Sequence, residues 1–346
     1  MKKRILSCVL SAALLLGLTP WSALATDDPL DDQTSQTELQ TNFQSPPQNP
    51  DIYSDPQPNI PVPETPEVQT VPVPAALTAG SVTTEEALRT AVTNGGEVTL
   101  GDKITLTSTL TIPTGKSVTL DLNGYTLEAN VNADAITIEG TLTLKDSSTG
   151  GTITHGMNGS SKYTGRGVKV DGGTFNMYGG SIAGNQFNGT GDGRGCGVFV
   201  ERGNFNMEGG SIQNNNSTYM NESGSSYGGG VYVASKATFH MSDGTISNNA
   251  VSFYGGGVYV TGTFTMSGGS ITGNQAGGKG GGVGIESNAT FTMTGGSITS
   301  NTATSLGNGV YVNDSSCRFT VSGTPNITGN NGSNVYLYTD QKAKLT

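Results

Sequence analysis

The sequence predicts an all-β fold, a right-handed parallel β-helix of about ten coils, from three observations. Similar units recur along the chain, and each begins with a valine run such as GVYV; the first valines are Val168, Val198, Val231, Val258, Val283, Val310 and Val335. Each unit contains three short runs of alternating residues, as in GVYV, TFTM and GSIT, which is typical of strands. Residues 163–330 contain a single leucine, Leu306, which excludes leucine-rich repeats.

The repeat spacing selects among the solenoid folds. Successive units start 30, 33, 27, 25, 27 and 25 residues apart, whereas hexapeptide β-helices use about 18 residues per coil. Three strands per coil fit a parallel β-helix, and parallel crossover connections are right-handed in nearly all cases.

The first 80 residues are expected to lie outside the fold. Residues 1–25 combine a basic start (Lys2 to Arg4), a short apolar stretch and small residues at Ala23 to Ala25, which predicts a secretory signal peptide. Residues 26–80 hold most of the prolines, with eleven of fourteen between Pro29 and Pro74, and predict a disordered Pro-rich linker.

The predicted folded region is 81–346. A capping box at Thr83 and Glu86 and a stop at Asn94-Gly95 predict a capping helix over 83–94. Residues 97–162 alternate apolar and polar residues between turn signals and predict degenerate coils. Regular repeats follow over 163–346, and the last coil is expected to be incomplete.

Strand periodicity assigns the interior of the regular repeats. The inward positions form columns of valine, phenylalanine, methionine and isoleucine, which we interpret as core. One corner carries an asparagine in six repeats: Asn185, Asn215, Asn249, Asn274, Asn301 and Asn330. Asparagine tolerates left-handed backbone and stacks into hydrogen-bonded ladders, so these residues are predicted to be structural.

Composition limits the function classes. The formal net charge of −10 would become −13 without Lys2, Lys3 and Arg4 (−10 − 3), so nucleic acid is not expected as a partner. No later segment is apolar enough to span a membrane. Beyond the leader only Cys196 and Cys317 occur, too few for a disulfide framework. We expect no metal and no cofactor.

The outward residue of each GVxV run provides the first candidate site. Five of these positions are aromatic and are predicted to form an exposed stripe for ligand binding: Phe199, Tyr232, Tyr259, Tyr311 and Tyr336. Such a stripe suits stacking on sugar rings or on a partner surface.

Acidic residues provide a catalytic alternative. Asp171 and Glu201 follow the GVxV strand in neighbouring repeats and are expected about 5 Å apart. Arg194 and Arg202 are near them in sequence, and the longest inter-repeat insertions (155–163, 186–193 and 216–226) are expected to form a groove there. Paired carboxylates facing one groove are the requirement for glycoside hydrolysis.

Two motifs carry a resemblance to known families. The opening "LTSTLTIPTGKSVTLDLNGYTL" resembles the first coils of pectate-lyase-like β-helix proteins. The units "GGGVYV…FTMSGGSITGN" resemble bacterial surface proteins with β-helix repeats, and are similar to polymorphic outer membrane proteins and adhesins, although Ile271 stands where their motif has Phe. The resemblance implies a secreted, bacterial cell-surface module that binds polysaccharide or a host or cell-surface partner. The alternative it implies is a polysaccharide lyase or glycoside hydrolase.

Overall fold

A computed structural model of the chain describes residues 80–187, 193–217 and 226–338. The predicted signal peptide and all but the last residue of the predicted linker lie outside the described residues. The same holds for the central parts of two insertions, 188–192 and 218–225, and for 339–346.

The described residues form one short helix and thirty strands. The helix is α1 (Glu85–Asn94). The strands before the regular repeats are β1 (Gly96–Thr99), β2 (Ile104–Leu106), β3 (Leu110–Ile112), β4 (Ser117–Asp121), β5 (Thr126–Ala129), β6 (Ile136–Ile138), β7 (Thr141–Lys145), β8 (Thr152–His155), β9 (Met157–Asn158) and β10 (Ser161–Lys162). The next eight are β11 (Val168–Met177), β12 (Ser181–Ala183), β13 (Gly193–Arg194), β14 (Val198–Gln213), β15 (Asn216–Ser217), β16 (Ser226–Tyr227), β17 (Val231–Ser247) and β18 (Ala250–Val251). The last twelve are β19 (Val258–Val260), β20 (Thr263–Met266), β21 (Ser270–Thr272), β22 (Gln275–Ala276), β23 (Val283–Ile285), β24 (Thr290–Met293), β25 (Ser297–Thr299), β26 (Thr302–Ala303), β27 (Val310–Val312), β28 (Arg318–Val321), β29 (Asn326–Thr328) and β30 (Val335–Leu337).

Three series of parallel strands run through the repeats. The GVxV runs pair with one another, as do the TFTM runs and the GSIT runs; β14 and β17 are continuous enough to contribute to all three. The register is regular, with Phe239 opposite Phe264 and Ile246 opposite Ile271. This large parallel sheet is consistent with a parallel β-helix and confirms the predicted strand runs. A fourth, shorter series (β15, β18, β22 and β26) was not predicted.

The predicted core columns are buried. Phe175, Phe205, Phe239, Phe264 and Phe291 are fully inaccessible. Their rings stack on one another and on Phe319, with centroid separations of 4.6–5.1 Å and interplanar angles of 4–14°. Each such pair contributes about 0.5–1.5 kcal/mol beyond burial. The in-register aromatic stack therefore stabilises each repeat on the one before it.

The asparagine column is a continuous hydrogen-bond ladder. From Asn215 to Asn330, Oδ1 of each asparagine accepts from the main-chain N–H and from Nδ2 of the asparagine in the preceding repeat, at 2.9–3.0 Å. His155 occupies this corner one repeat earlier, with Nδ1 2.8 Å from Oδ1 of Asn185 and Nε2 2.9 Å from the carbonyl oxygen of Ala133.

The left-handed backbone of this corner belongs to a different residue than expected. The positive φ values of 54–65° occur at the residue immediately before each ladder asparagine: Gly184, Asn214, Asn248, Gly273, Ser300 and Gly329. The ladder asparagines are therefore selected by their side-chain bonds, while the preceding residue makes the turn.

The helix begins one residue later than the capping box predicted. Thr84, not Thr83, is the N-cap, and its side chain accepts from the N–H of Ala87. The predicted stop is confirmed, because Gly95 closes the helix at φ 85°. Leu88 and Val92 are buried against the first strands, so the helix covers apolar surface at the start of the strand series.

Both cysteines of the described residues are free and buried. Burial raises the pKa of the Cys196 thiol to about 12, although hydrogen bonds with the main chain of Asn216 and Phe187 act in the opposite direction. No helix within the described ranges is long and apolar enough to cross a bilayer.

Candidate functional site

The five predicted aromatic residues do form one column. Phe199, Tyr232 and Tyr259 lie opposite one another in β14, β17 and β19. Gly284 interrupts the column, and Tyr311 and Tyr336 continue it in β27 and β30. We call this set the inner aromatic column.

The predicted exposure of this column is wrong for four of its five members. Phe199, Tyr232, Tyr259 and Tyr311 are only 7, 5, 3 and 3% exposed, respectively. Tyr336 is partly exposed. Since a buried ring offers no face to a ligand, these four side chains are not available for stacking from solvent.

The three glycines that precede a GVxV run, such as Gly255 to Gly257, explain the burial. Gly255 has φ 69°, and a Cβ there would lie 2.6 Å from the carbonyl oxygen of Val258. The backbone before each GVxV strand thus folds tightly onto the outer face of that strand. As a result, the residue preceding the glycines lies over the inner aromatic column.

These preceding residues form a second column in register, which we call the outer column: Arg194, Tyr227, Tyr254 and Lys279. Each of three members covers a ring of the following repeats. Arg194 lies 5.3 Å from the centroid of Tyr232, the rings of Tyr227 and Tyr259 are 4.7 Å apart, and Lys279 Nζ is 4.7 Å from the centroid of Tyr311.

Arg166 covers the first ring of the inner column in the same way. Its guanidinium lies 4.8 Å from the centroid of Phe199 and forms an ion pair with Asp134 at 3.1 Å. Cation–π contacts of this kind contribute about 0.5–2 kcal/mol each. The inner aromatic column is therefore part of the packed structure.

Half-buried rings remain at the surface above it. Tyr227, Phe253 and Tyr254, which we call the outer aromatic surface, are each intermediate in exposure. Phe253 stacks on Tyr254 with a centroid separation of 3.9 Å and meets Tyr227 edge-on at 5.4 Å. These residues were not predicted from the sequence, although Tyr227 and Tyr254 directly precede the glycines in the two "YGGG" segments, which was a usable signal.

A polar network lies where Gly284 interrupts the inner column. Glu286 accepts hydrogen bonds from Tyr259 Oη and from Asn313 Nδ2, the latter at 2.7 Å. Tyr311 Oη donates to Asn313 Oδ1 at 2.9 Å and accepts from Lys279 Nζ at 2.8 Å. Burial, and secondarily the charge of Asp314, raises the pKa of Glu286. The hydrogen bond from Lys279 to Tyr311 raises the pKa of Lys279.

The predicted catalytic residues lie in two separate places. Asp171 and Glu201 both contact Lys169 Nζ, at 3.2 and 2.8 Å, so the two carboxylates share one cation. Arg202 bonds Asp171 at 2.5 Å, and a register shift places Asp171 opposite Arg202. Arg194 lies instead over Tyr232.

The charge states of this cluster follow from its ion pairs. Burial alone would raise the pKa of Asp171, but the hydrogen bonds from Arg202 and Lys169 lower it. Burial alone would lower the pKa of Lys169, but its hydrogen bonds to Glu201 and Asp171 raise it. Asp171 is therefore held ionised. The groove predicted from the three insertions is untested, because 188–192 and 218–225 are outside the described residues.

Within the part of the chain that the structure describes, no group of three or more histidine, cysteine or acidic side chains is placed to hold a metal ion. Comparison with protein-family models, with curated proteins and with solved structures gives no match to this chain.

Proposed function

We propose that this chain is an exported bacterial β-helix protein that acts at the cell surface as an adhesive module and binds polysaccharide. In this proposal the parallel series close into a right-handed solenoid of about ten coils, in line with the right-handed rule for parallel crossovers. Export is supported by the leader-like residues 1–25.

The observation that carries the binding proposal is the outer aromatic surface. Tyr227, Phe253 and Tyr254 present half-exposed rings on a base of buried aromatic side chains. Rings fixed in this way lose little conformational entropy when a sugar ring stacks on them. Their positions on parallel-paired strands repeat at about 4.8 Å, a spacing suited to an extended chain.

Polar groups next to these rings can fix the orientation of a bound sugar. Lys279 Nζ, Asn313 and Glu286 lie in the network beside Tyr254 and Tyr311. Aromatic surface with a few placed hydrogen-bonding groups is the usual composition of a small-molecule or glycan site.

The enzymatic alternative is less well supported. Glycoside hydrolysis needs one protonated carboxylic acid beside a second carboxylate. Because Lys169 and Arg202 keep the pKa of Asp171 low, Asp171 is a poor proton donor, and Arg194 lies apart from the acids.

The test is binding of soluble polysaccharides, measured by affinity electrophoresis on a panel of neutral and acidic chains. We expect Tyr254→Ala and Tyr227→Ala to weaken binding about tenfold, the equivalent of one lost stacking contact. Tyr254→Phe should retain binding because it retains the ring. Tyr178→Ala is the matched control, since Tyr178 is 49% exposed and follows a TFTM-type strand on another side of the repeat.

Two results would reject the proposal. One is a wild-type chain that binds no polysaccharide of the panel. The other is equal binding by wild type, Tyr254→Ala and Tyr227→Ala with circular dichroism showing all three folded. Surface location is tested separately by protease shaving of intact cells, and a protein fully protected from the protease would refute it.

A further inference from the structure

A polar groove of about 420 Å³ lies on the GSIT side of the repeats, near the N-terminal end of the regular series. One side is the turn formed by residues 145–151, which starts at the last residue of β7 and leads into β8. This turn has seven residues between the paired strand positions Leu144 and Thr152, whereas the equivalent turn after Met177 has three, Tyr178 to Gly180. The longer turn projects beside the next strands and forms one edge of the groove.

Hydrogen bonds hold this turn in place. Asp146 Oδ1 accepts from the N–H of Gly124 at 2.7 Å and Oδ2 accepts from the N–H of Gly151 at 2.8 Å. The N–H of Ser147 donates to Asp121 Oδ1 at 2.9 Å, and Ser148 Oγ donates to Asn123 Oδ1 at 3.1 Å. The groove edge is therefore preformed and pays little ordering cost on binding.

The opposite side consists of outward side chains from three successive strands in register. Thr152, Ser181 and Ser211 lie opposite one another in β8, β12 and β14. Ser211 Oγ and Gln213 Nε2 both donate to Ser181 Oγ, at 3.0 and 3.3 Å. Among the described residues this leaves the Ser181 hydroxyl proton and the Gln213 Oε1 without a protein partner.

Glycines form part of the groove lining: Gly150, Gly151 and Gly180. A Cβ at Gly150 would meet nothing within 4 Å, so the space beside this residue of the turn is open, whereas a Cβ at Gly151 or Gly180 would lie within 2.8 Å of Leu122. A ligand can therefore approach the main chain closely at Gly150.

The chemistry of the lining favours a neutral polyhydroxyl ligand. None of the ten lining residues is basic, and Asp146 supplies a fixed carboxylate, so an anionic group would be repelled. The lining has no apolar side chain larger than the threonine methyl groups, so a peptide side chain would find no apolar anchor. Hydroxyl donors, an amide and a carboxylate together match sugar hydroxyls, which both donate and accept.

We infer that the polar groove is a second carbohydrate site, which takes a hexose unit of a neutral glycan. It is separate from the outer aromatic surface and does not depend on the function proposed for that surface. The bound hexose lies against the projecting turn and exchanges hydrogen bonds with Asp146, Ser181 and Gln213.

The experiment titrates the full chain with four probes: maltotetraose, cellotetraose, mannotetraose and tri-galacturonate. Binding is measured by isothermal titration calorimetry and by saturation-transfer NMR. Ser211→Tyr places a large side chain in the groove from a half-exposed outward position, and we expect it to abolish saturable binding of the neutral oligosaccharide. Ser270→Tyr is the matched control, because Ser270 holds the equivalent strand position two repeats further on, outside the groove. Gln213→Ala should weaken binding without blocking the space.

The outcomes separate this inference from the proposed function. Saturable binding of a neutral oligosaccharide that Ser211→Tyr removes, and that Ser270→Tyr and Tyr254→Ala leave unchanged, supports the groove. The inference is overturned if no neutral probe binds, if tri-galacturonate binds as well as the neutral probes, or if Ser211→Tyr binds like wild type. Loss of binding in Tyr254→Ala alone would place the sugar on the outer aromatic surface instead.

Discussion

Substitution of Asn249 by alanine tests the asparagine ladder directly. The Asn249 side chain makes four hydrogen bonds: Oδ1 accepts from N and Nδ2 of Asn215, and Nδ2 donates to the carbonyl of Ile212 and to Oδ1 of Asn274, all at 2.9–3.0 Å. Asn215 Nδ2 keeps a second acceptor, the carbonyl oxygen of Ile182. Among the described residues the main-chain N–H of Asn215 has no other acceptor, so it would be left buried and unpaired.

The expected loss follows from these bonds. An unsatisfied buried N–H costs about 1–3 kcal/mol and each of the other three bonds contributes about 1 kcal/mol, so Asn249→Ala should lower the free energy of unfolding by about 4–6 kcal/mol. This is a large fraction of the 5–15 kcal/mol typical of a folded protein. The loss is measured by urea unfolding, monitored by far-UV circular dichroism. If the dependence of the free energy of unfolding on urea concentration has the same slope in both proteins, the same transition is being compared.

The neighbouring residue supplies the control. Asn248 is exposed, has φ 54° and sits at the same corner, so Asn248→Gly should change the free energy of unfolding by less than about 0.5 kcal/mol. A loss below about 1 kcal/mol for Asn249→Ala would refute the reasoning, because it would mean that the ladder bonds are replaced at no cost, for example by water.

Three further predictions concern the backbone, pH and the buried thiol. Ser300 has φ 57°, and Ser300→Gly should raise the free energy of unfolding by about 0.5–1 kcal/mol, since relief of left-handed strain exceeds the added entropy of glycine; a lower urea midpoint would contradict this. Hydrogen bonds from Ser147 and Asn123 outweigh burial and lower the pKa of Asp121, and ion pairs do the same for Asp171. The stabilisation that these two carboxylates contribute is therefore complete above the pKa of an aspartate in the unfolded chain, about 4, and is lost as pH falls through their folded-state pKa values. The melting temperature measured as a function of pH tests this. A double variant Asp121→Asn, Asp171→Asn should lose less melting temperature between pH 5 and 2 than the wild type. Because burial raises the pKa of Cys196 to about 12, iodoacetamide at pH 8 should label Cys196 only after denaturation, as peptide mass spectrometry would show; labelling in the native protein would contradict its burial.

The core and the strand register could be predicted from sequence because they depend on local alternation repeated in every unit. Phe264 and Met266 are two residues apart in one strand, and the same pair recurs one repeat later as Phe291 and Met293. Period 2 then decides which face is inside. Nothing beyond the strand itself is needed for that inference.

Exposure of the outward face could not be predicted in the same way. Alternation correctly placed Tyr259 away from the core, yet Tyr227 of the preceding repeat lies 4.7 Å from its ring. That contact depends on how the chain turns at Gly255 and at the equivalent glycines, a tertiary feature without a periodic signal. Lys169 was not predicted as the partner of Asp171 and Glu201 for a related reason. Glu201 belongs to the next repeat, and the register between the two strands shifts next to Asp171.

Stacking constrains some positions of a repeat more than others, and this difference indicates where binding specificity can reside. A phenylalanine of the core or an asparagine of the ladder contacts its equivalents on both sides, so a change in one repeat disturbs two interfaces. The outer column is not bound by this requirement and changes from arginine to tyrosine to lysine over four repeats. The turn beside the polar groove likewise differs from the shorter turns that follow it. Both candidate binding surfaces therefore lie where neighbouring repeats are free to differ, because a ligand can distinguish positions along a series of similar repeats only through residues that do not repeat.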